Sequence, residues 1–536
     1  MHRVSLGLLA VVWICLLAVG ATLTVEHYDG YEYILTGMAV AGEGTYFFPK
    51  NPVLSTILSA LYGIFERLEL DTRSLANYHL PLVILNLGLA LIVAKWIRLF
   101  CPILSTVTIA AMLCVNRSFI HYVPFALPDV LIACSIGIWL YADATLPIRS
   151  PAGKISRIMI LGLCALQRPQ TVIIPAASLL TAVIKDRRRL ASATLIVLGS
   201  VVVYISLNTV FFYRGVILGY QGGLSSLGTQ PNLVQAITGQ FEFLYYFFGR
   251  PLSYPILRVA PVSSLWAYSG AMMDALNPIG TGLLVVGVFQ LRKFRQSPQW
   301  DGLMGGALIG SLCFFMFLLY VRATGPARYI TPLIPALTLI ECLGLAWLTR
   351  RRAALGTLAL VGVFCLAVIP EARYFYHPYY RADLERRTTR NIKEWSRSEP
   401  IYFTGSAQSP FYSQENVVHD FQPDFYVYRG LPAVNFYSGR SLRYLGQEPT
   451  FRAHGFPIPD DLDTLIEPNR TLIIPPMRIY QEALVPWESL EVPPGTQVTP
   501  LYAVRWSLDS PPGTPCSPKV QEVCVEVYTP SPGMGF

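Results

Sequence analysis

Repeated apolar runs constrain this chain more than any other feature of its sequence. A helix of about 20 apolar residues spans the hydrocarbon core of a bilayer, and most of the runs approach that length. The chain is 53% hydrophobic and only 14% charged, whereas a soluble domain has about 25% charged residues. The sequence therefore predicts a polytopic α-helical membrane protein with about 11 transmembrane helices. The predicted spans are residues 4–23, 79–99, 102–116, 126–146, 156–167, 170–184, 190–210, 268–291, 302–321, 328–349 and 353–371.

Two of these predicted segments leave alternatives open. The first span has no convincing small-residue cleavage site, so it is interpreted as an uncleaved helix, with a cleaved signal peptide as the alternative. The pair within residues 156–184 is short, and it fits either two short helices or a re-entrant hairpin. Either choice returns the chain to the same side of the membrane.

Basic residues fix the predicted orientation. Five clusters follow the second, fourth, sixth, eighth and tenth spans, which places all five on one side, and the positive-inside rule makes that side cytoplasmic. The N-terminus is then cytoplasmic, and the acidic and aromatic loops are extracytoplasmic. The net charge of +8 is explained by these loops, so no nucleic-acid partner is expected. The clusters are Lys95 and Arg98; Arg149, Lys154 and Arg157; Lys185 and Arg187–Arg189; Arg292, Lys293 and Arg295; and Arg350–Arg352.

The composition changes after Pro370, where apolar runs shorten to strand length. We therefore predict a transmembrane domain over 1–371, with outer loops 24–78 and 211–267, followed by an extracytoplasmic α/β or mostly β domain over 372–536. Strands are expected at 401–404, 471–474 and 523–528, and an interfacial helix at 52–66. Cys516 and Cys524 lie in the outer domain, as a disulfide or as two free thiols.

The first outer loop begins with an acidic, Tyr-rich stretch that contains Glu26, Asp29 and Glu32. Asp29 follows the first span by six residues, so it is a candidate general base, with an ordinary solvated acid as the alternative. Asp129 opens the fourth span at about the same depth. It is either a second catalytic acid or a residue that stabilises the helix N-terminus.

Four outer cations break the positive-inside pattern: Lys50, Arg168, Arg322 and Arg328. Guanidinium groups at the membrane edge are suited to holding a phosphate, while snorkelling or pairing with the outer acids is the alternative. His27 could bind a divalent metal with Asp29 or Glu26, but no compact ligand spacing supports such a site.

These motifs, in this order and on this side, resemble the GT-C superfamily of membrane glycosyltransferases. In particular, they look like the protein O-mannosyltransferase-like and lipid A aminoarabinose transferase-like enzymes. The resemblance covers most of the membrane part. It is carried by Tyr28-Asp29-Gly30-Tyr31, Phe48-Pro49-Lys50-Asn51-Pro52, Pro128-Asp129-Val130-Leu131, Leu166-Gln167-Arg168-Pro169, the Arg-Tyr-x-x-Pro-x-x-Pro run from Arg328 to Pro335, and Asn435–Arg440.

The resemblance implies an inverting glycosyltransferase that takes its sugar from a polyprenyl phosphate. The low lysine content, the cytoplasmic N-terminus and the large outer domain favour a bacterial inner membrane, with the endoplasmic reticulum as the alternative. The acceptor would be a hydroxyl on a lipid, glycan or protein at the outer face. Asp29 would be the general base, and Asp129 would position the acceptor or Asp29. Glu26, Glu32, Lys50, Arg168, Arg328 and Tyr329 would form the substrate site.

Two positions depart from the family pattern. The second residue of the family's acidic pair is Gly30, so Glu26 or Glu32 would have to assist Asp29. Pro49 replaces the Glu that contributes to a metal site in the aminoarabinose enzymes, which leaves a divalent cofactor open. The alternatives to a transferase are a transporter or flippase for a lipid-linked sugar, and a non-catalytic scaffold with an outer binding domain.

Overall fold

A computed structural model describes residues 1–24, 26, 28–43, 52–223, 261–294, 303–321 and 327–375, together with residue 436 and four short strands. The described part before residue 376 is helical. Its α-helices are α1 His2–Thr22, α2 Tyr28–Met38, α3 Pro52–Arg67, α4 Leu75–Arg98, α5 Thr106–Cys114, α6 Arg117–Tyr122, α7 Asp129–Thr145, α8 Pro151–Gln167, α9 Ile173–Lys185, α10 Leu190–Gly223, α11 Pro261–Gln290, α12 Ser311–Val321, α13 Ile334–Arg351 and α14 Ala353–Phe375.

Six of these helices are long and apolar enough to cross a membrane, namely α1, α4, α10, α11, α13 and α14. Each of the other predicted spans coincides with a shorter helix. The integral membrane character is therefore confirmed, whereas the number of about eleven crossings stays a prediction. Helix α5 is shorter than its predicted span. It has nine residues, because Ser105 accepts a hydrogen bond from Thr108 N and starts the helix later than predicted.

The chain divides into two compact units. One comprises Met1–Leu23, Lys50–Tyr213 and Leu244–Arg381, and the other comprises Thr24–Pro49, Arg214–Phe243 and Ala382–Phe536. The first unit holds most of the helices. The second holds helix α2 and the strands.

Contacts within the helical unit show which loops lie together at each end of the helices. At one end His2 Nδ1 lies 3.2 Å from Ser105 Oγ. There, too, the exposed pair Arg149 and Asp186 is joined at 2.9 Å. These contacts link loops that the basic clusters place on one side. At the other end, where Asp129 lies, Arg117 pairs with Glu371 at the end of α14. We call these the basic end and the Asp129 end.

A buried arginine holds α7, α8 and α9 together at the basic end. Arg157 has a side chain that is only 2% exposed, and its Nη2 lies 3.0 Å from Asp143 Oδ1. The same guanidinium donates to the backbone carbonyl of Leu146 at 2.9 Å. Ser178 on α9 donates to the second oxygen of Asp143. This network satisfies the helix C-terminal carbonyls that an apolar interior would otherwise leave unpaired.

We expect Arg157→Met to destabilise the protein by about 3–5 kcal/mol, because it leaves the largely buried Asp143 carboxylate without its counter-charge. Unfolding in detergent, followed by loss of helical circular dichroism, measures the effect. Arg149→Met is the matched control, since the Arg149–Asp186 pair is exposed and such pairs contribute about 0–1 kcal/mol. Equal losses in both variants would contradict this account.

Helices α11 and α13 approach each other closely through glycines. A Cβ atom at Gly344 would overlap the backbone carbonyl of Leu283, and one at Gly287 would overlap that of Ile340. Small residues of this kind let membrane helices pack backbone to backbone. The buried carboxyl of Glu341 lies in the same interface, against Gly280.

Helix α11 is broken at Asn277 just before this contact. Asn277 has a φ of 55°, and Pro278 follows it, so the chain cannot continue a regular helix there. The Asn277 side chain starts the second half of the helix by accepting hydrogen bonds from Ile279 N and Gly280 N, both at 3.1 Å.

We expect Gly344→Ala to lower the free energy of unfolding by about 1–3 kcal/mol, because the added methyl group meets rigid backbone rather than a movable side chain. Gly282→Ala is the control on the neighbouring helix, since a Cβ there has open space and alanine favours the helix by up to about 1 kcal/mol. Thermal unfolding of the two variants in detergent measures the difference. A Gly344→Ala variant as stable as wild type would refute the close approach.

The second unit contains a four-stranded parallel sheet. Its strands are β1 Tyr402–Phe403, β2 Arg443–Tyr444, β3 Thr471–Ile474 and β4 Gln497–Pro500, in the order β2-β1-β3-β4. The strands predicted at 401–404 and 471–474 match β1 and β3. The strand predicted at 523–528, the aromatic run at 241–248, and both Cys516 and Cys524 lie outside the described residues.

Candidate functional site

The candidate site is centred on Asp129, the first residue of α7. Pro128 precedes it and cannot cap the helix with a side-chain hydrogen bond. The Asp129 carboxylate is fully buried, and it faces two arginines instead. Its Oδ1 lies 3.1 Å from Arg168 Nη2, and its Oδ2 lies 3.5 Å from Arg328 Nε. Three predicted site residues that are far apart in sequence are thus brought together.

The backbone of each arginine is held by the same kind of local hydrogen bond, from a threonine hydroxyl. Arg168 directly precedes the 3₁₀ segment Pro169–Val172, and Arg328 is the second residue of the 3₁₀ segment Ala327–Leu333. In both, a threonine follows the arginine by three residues. Thr171 Oγ1 donates to the carbonyl of Arg168 at 2.7 Å, and Thr331 Oγ1 donates to that of Arg328 at 2.8 Å. Both threonines are buried. The repeated Arg-x-x-Thr pattern is readable in the sequence, and it fixes the backbone from which each guanidinium extends.

Tyr329 forms a shared surface for the two guanidiniums. Arg168 Cζ lies 5.2 Å and Arg328 Cζ 5.9 Å from the centre of its ring. An arginine within about 6 Å of an aromatic ring centre is attracted by the negative face of the ring. The ring and the Asp129 carboxylate therefore restrain both guanidiniums before any ligand binds.

Arg168 retains an unused hydrogen-bond donor. Its Nη1 is buried and has no hydrogen-bond partner in the described part of the chain. A buried donor without an acceptor costs about 1–3 kcal/mol, and more when it is charged. Such a group requires an explanation, of which a missing ligand is one. The N–H groups of the guanidinium can donate to an anionic oxygen such as that of a carboxylate or a phosphate.

Two further groups at the Asp129 end were not identified from the sequence. Burial, with the Asp129 carboxylate adding to the effect, raises the pKa of Tyr122 to about 12, so its hydroxyl stays neutral. Glu371 binds Arg117 Nε at 2.9 Å and His121 Nδ1 at 2.8 Å. These pairs join α6 to α14, and no local sequence signal relates positions 250 residues apart.

In the second unit, two of the predicted acids are buried, Glu26 and Glu32. The Glu26 carboxyl lies against Gly30 in α2, where a Cβ atom would overlap it. The glycine that replaces the second family acid thus leaves room for another carboxyl. Tyr31 of the same helix packs against Phe436, with ring centroids 5.5 Å apart.

Several predicted residues fall outside this description. The backbone of Asp29 lies in α2, but its side chain, His27 and Lys50 are not among the described residues. Within the described residues, no group of three His, Cys, Asp or Glu side chains could hold a metal ion. The predictions for Asp29, His27 and Lys50 stay predictions.

No protein-family model and no curated protein matches the sequence. Solved structures do match. ArnT from Cupriavidus metallidurans bound to undecaprenyl phosphate aligns with a TM-score of 0.56 at 16% identity, over 87% of this chain and 90% of that one. The same protein in the apo state aligns with a TM-score of 0.53 at 15% identity, over the same shares.

This likeness extends over most of both chains, and at such low identity it concerns the fold alone. At the level of the fold, it confirms the resemblance to the lipid A aminoarabinose transferase-like enzymes. The chain therefore shares the fold of the GT-C membrane glycosyltransferase ArnT.

Proposed function

We propose that this chain is an integral membrane glycosyltransferase that takes its sugar from a polyprenyl phosphate. The observation that carries the proposal is the buried Arg168–Asp129–Arg328 cluster, with its unused Arg168 Nη1 donor. Two restrained guanidiniums provide the planar, bidentate recognition that suits phosphate. The ArnT relative, which was solved with undecaprenyl phosphate bound, supports a lipid-linked phosphate as the anion.

The proposed reaction is a direct displacement with inversion. The acceptor hydroxyl oxygen attacks the anomeric carbon, the bond from that carbon to the phosphate oxygen breaks, and the hydroxyl proton passes to Asp29. The departing polyprenyl phosphate keeps the bonding electrons. Arg168, Arg328 and Lys50 stabilise the negative charge that develops on it, and preorganised charges of this kind supply a large part of catalysis. Asp129 holds the two arginines, while Glu26 and Glu32 bind the sugar or the acceptor.

The runner-up function is a transporter or flippase of a lipid-linked sugar. The two functions differ in one bond, since a transporter leaves the sugar–phosphate bond intact. Purified protein should be incubated with synthetic polyprenyl-phosphate sugars and with envelope lipids as acceptors. Release of free polyprenyl phosphate, detected by mass spectrometry, supports the transferase. Movement of intact lipid-linked sugar across proteoliposomes, without that release, supports the transporter.

The proposal also requires that the site face the extracytoplasmic side of the membrane, because nucleotide sugars are absent there. The five basic clusters predict this orientation, because they lie on the opposite side from residues 24–78 and 372–536. We expect single cysteines in both segments to react with a membrane-impermeant maleimide in intact cells of an inner-membrane host after the outer membrane is permeabilised. Cysteines beside Arg187 and Arg350 should stay protected, and the reverse pattern would overturn the proposed orientation.

A further inference from the structure

Asp129 pairs with both of the guanidiniums that a phosphate would bind, although Arg168 Nη1 stays unused among the described residues. Its two oxygens are directed at Arg168 and Arg328, and the carboxylate is fully buried, so water does not screen it. A purely attractive phosphate site would keep both guanidiniums free of a fixed anion. The buried carboxylate therefore does more than hold the two side chains: it lowers the positive potential that any bound phosphate experiences.

This lowering acts unequally on the two phosphates of the proposed reaction. The donor phosphate is a diester and carries one negative charge. The product is a phosphate monoester whose second ionisation has a pKa near 6, so it carries about 1.5 to 2 negative charges at pH 7. A fixed negative charge beside the site disfavours the ligand with more negative charge. The effect of the Asp129 charge on the affinity of the monoester relative to that of the diester does not depend on how many other charges surround the site.

We propose that Asp129 is a specificity-determining residue that disfavours the spent polyprenyl phosphate relative to the sugar-charged donor and so promotes product release. The inference rests on the proposed function of the cluster. It assigns Asp129 a role in selectivity beyond positioning the arginines. A residue that only positioned them would strengthen the binding of both phosphates, and its loss would weaken both.

The test measures the affinity of two ligands, undecaprenyl phosphate and its monomethyl ester, for wild type and Asp129→Asn in detergent. The ester is a diester with one charge at every pH used. We expect Asp129→Asn to raise the affinity ratio of monoester to diester about tenfold at pH 8, as expected for one charge removed near the site. At pH 5, where both ligands carry a single charge, the ratio should return close to that of wild type.

Comparing the affinity ratios at pH 5 and pH 8 separates the effect of the ligand's charge from other effects of the substitution. Arg168, Arg328 and Tyr122 face Asp129. Arginine side chains are always charged in proteins, and burial raises the pKa of Tyr122 to about 12. His121 pairs with Glu371, outside the cluster. Asp143→Asn is the matched control, because it removes a part-buried, arginine-paired acid from the basic end of the same helix. It should leave the ratio unchanged. If Asp129→Asn does not fold, Asp129→Ser removes the same charge and carries the same expectation.

Two results overturn the inference alone: an unchanged ratio in the Asp129 variants, or equal weakening of both ligands at both pH values. If wild type binds neither ligand, the proposed function falls and the inference falls with it. A ratio that rises only at the higher pH, and only in the Asp129 variants, supports both.

Discussion

Replacing Asp29 by asparagine is expected to lower sugar transfer by at least ~10²-fold, the lower end of the contribution of a general base. The amide keeps the shape of the side chain but cannot accept the acceptor's proton at neutral pH. Single-turnover transfer measures the effect, with folding checked by thermal unfolding. Binding of polyprenyl phosphate should change little, because the phosphate is proposed to rest on the arginines.

Asp71→Asn is the matched control for this variant. Asp71 lies in the same predicted outer loop, but it is exposed and accepts a hydrogen bond from Arg73 N in a turn. Its substitution should leave transfer near the wild-type rate. Normal turnover by a purified Asp29→Asn protein would remove Asp29 from the mechanism and leave the phosphate site to be judged separately.

Arg168→Ala should lower donor affinity and the transfer rate together, by at least ~10²-fold in kcat/KM. One group is proposed both to anchor the donor phosphate and to stabilise the leaving phosphate, and loss of a single transition-state donor costs about 10²–10³-fold. The variant also leaves the Asp129 carboxylate with one guanidinium partner fewer. Binding of undecaprenyl phosphate and single-turnover transfer separate the two losses.

Arg168→Lys should rescue only part of the loss, since an ammonium group cannot reproduce the planar fork that spans Asp129 and a phosphate. Arg117→Ala is the control at the same end of the helices. Arg117 is half-exposed and binds Glu371, outside the cluster. Phosphate binding should survive in Arg117→Ala, and equal losses in Arg117→Ala and Arg168→Ala would point to a general electrostatic effect.

The sequence predicted the residues of the cluster because charge sidedness is a long-range rule that can be counted. Arg168 and Arg328 stood out as cations on the side that the basic clusters avoid, and Asp129 opened a span at the same depth. Counting spans placed all three at one end of the helices, and the structure joins them there. The sequence left open whether Asp129 was a second catalytic acid or stabilised the helix N-terminus. Its pairing with the two arginines depends on how α7 and α8 are packed, which no local pattern gives.

Other features depend on contacts that no local pattern encodes. Glu371 is an ordinary acid at a helix end in the sequence, and its pairing with Arg117 and His121 appears only when α14 lies beside α6. Strands β2 and β4 were missed because neither Arg443–Tyr444 nor Gln497–Pro500 contains an apolar run. The break in α11 at Asn277 was also missed, although Pro278 marks it, because the apolar run continues through it.

A structure of the protein with undecaprenyl phosphate bound tests the central claim most directly. The account predicts a phosphate oxygen at hydrogen-bond distance from Arg168 Nη1, with Arg168 still paired to Asp129 and resting on Tyr329. A phosphate bound elsewhere, with Arg168 Nη1 still lacking an acceptor, would contradict the assignment of this cluster as the donor site.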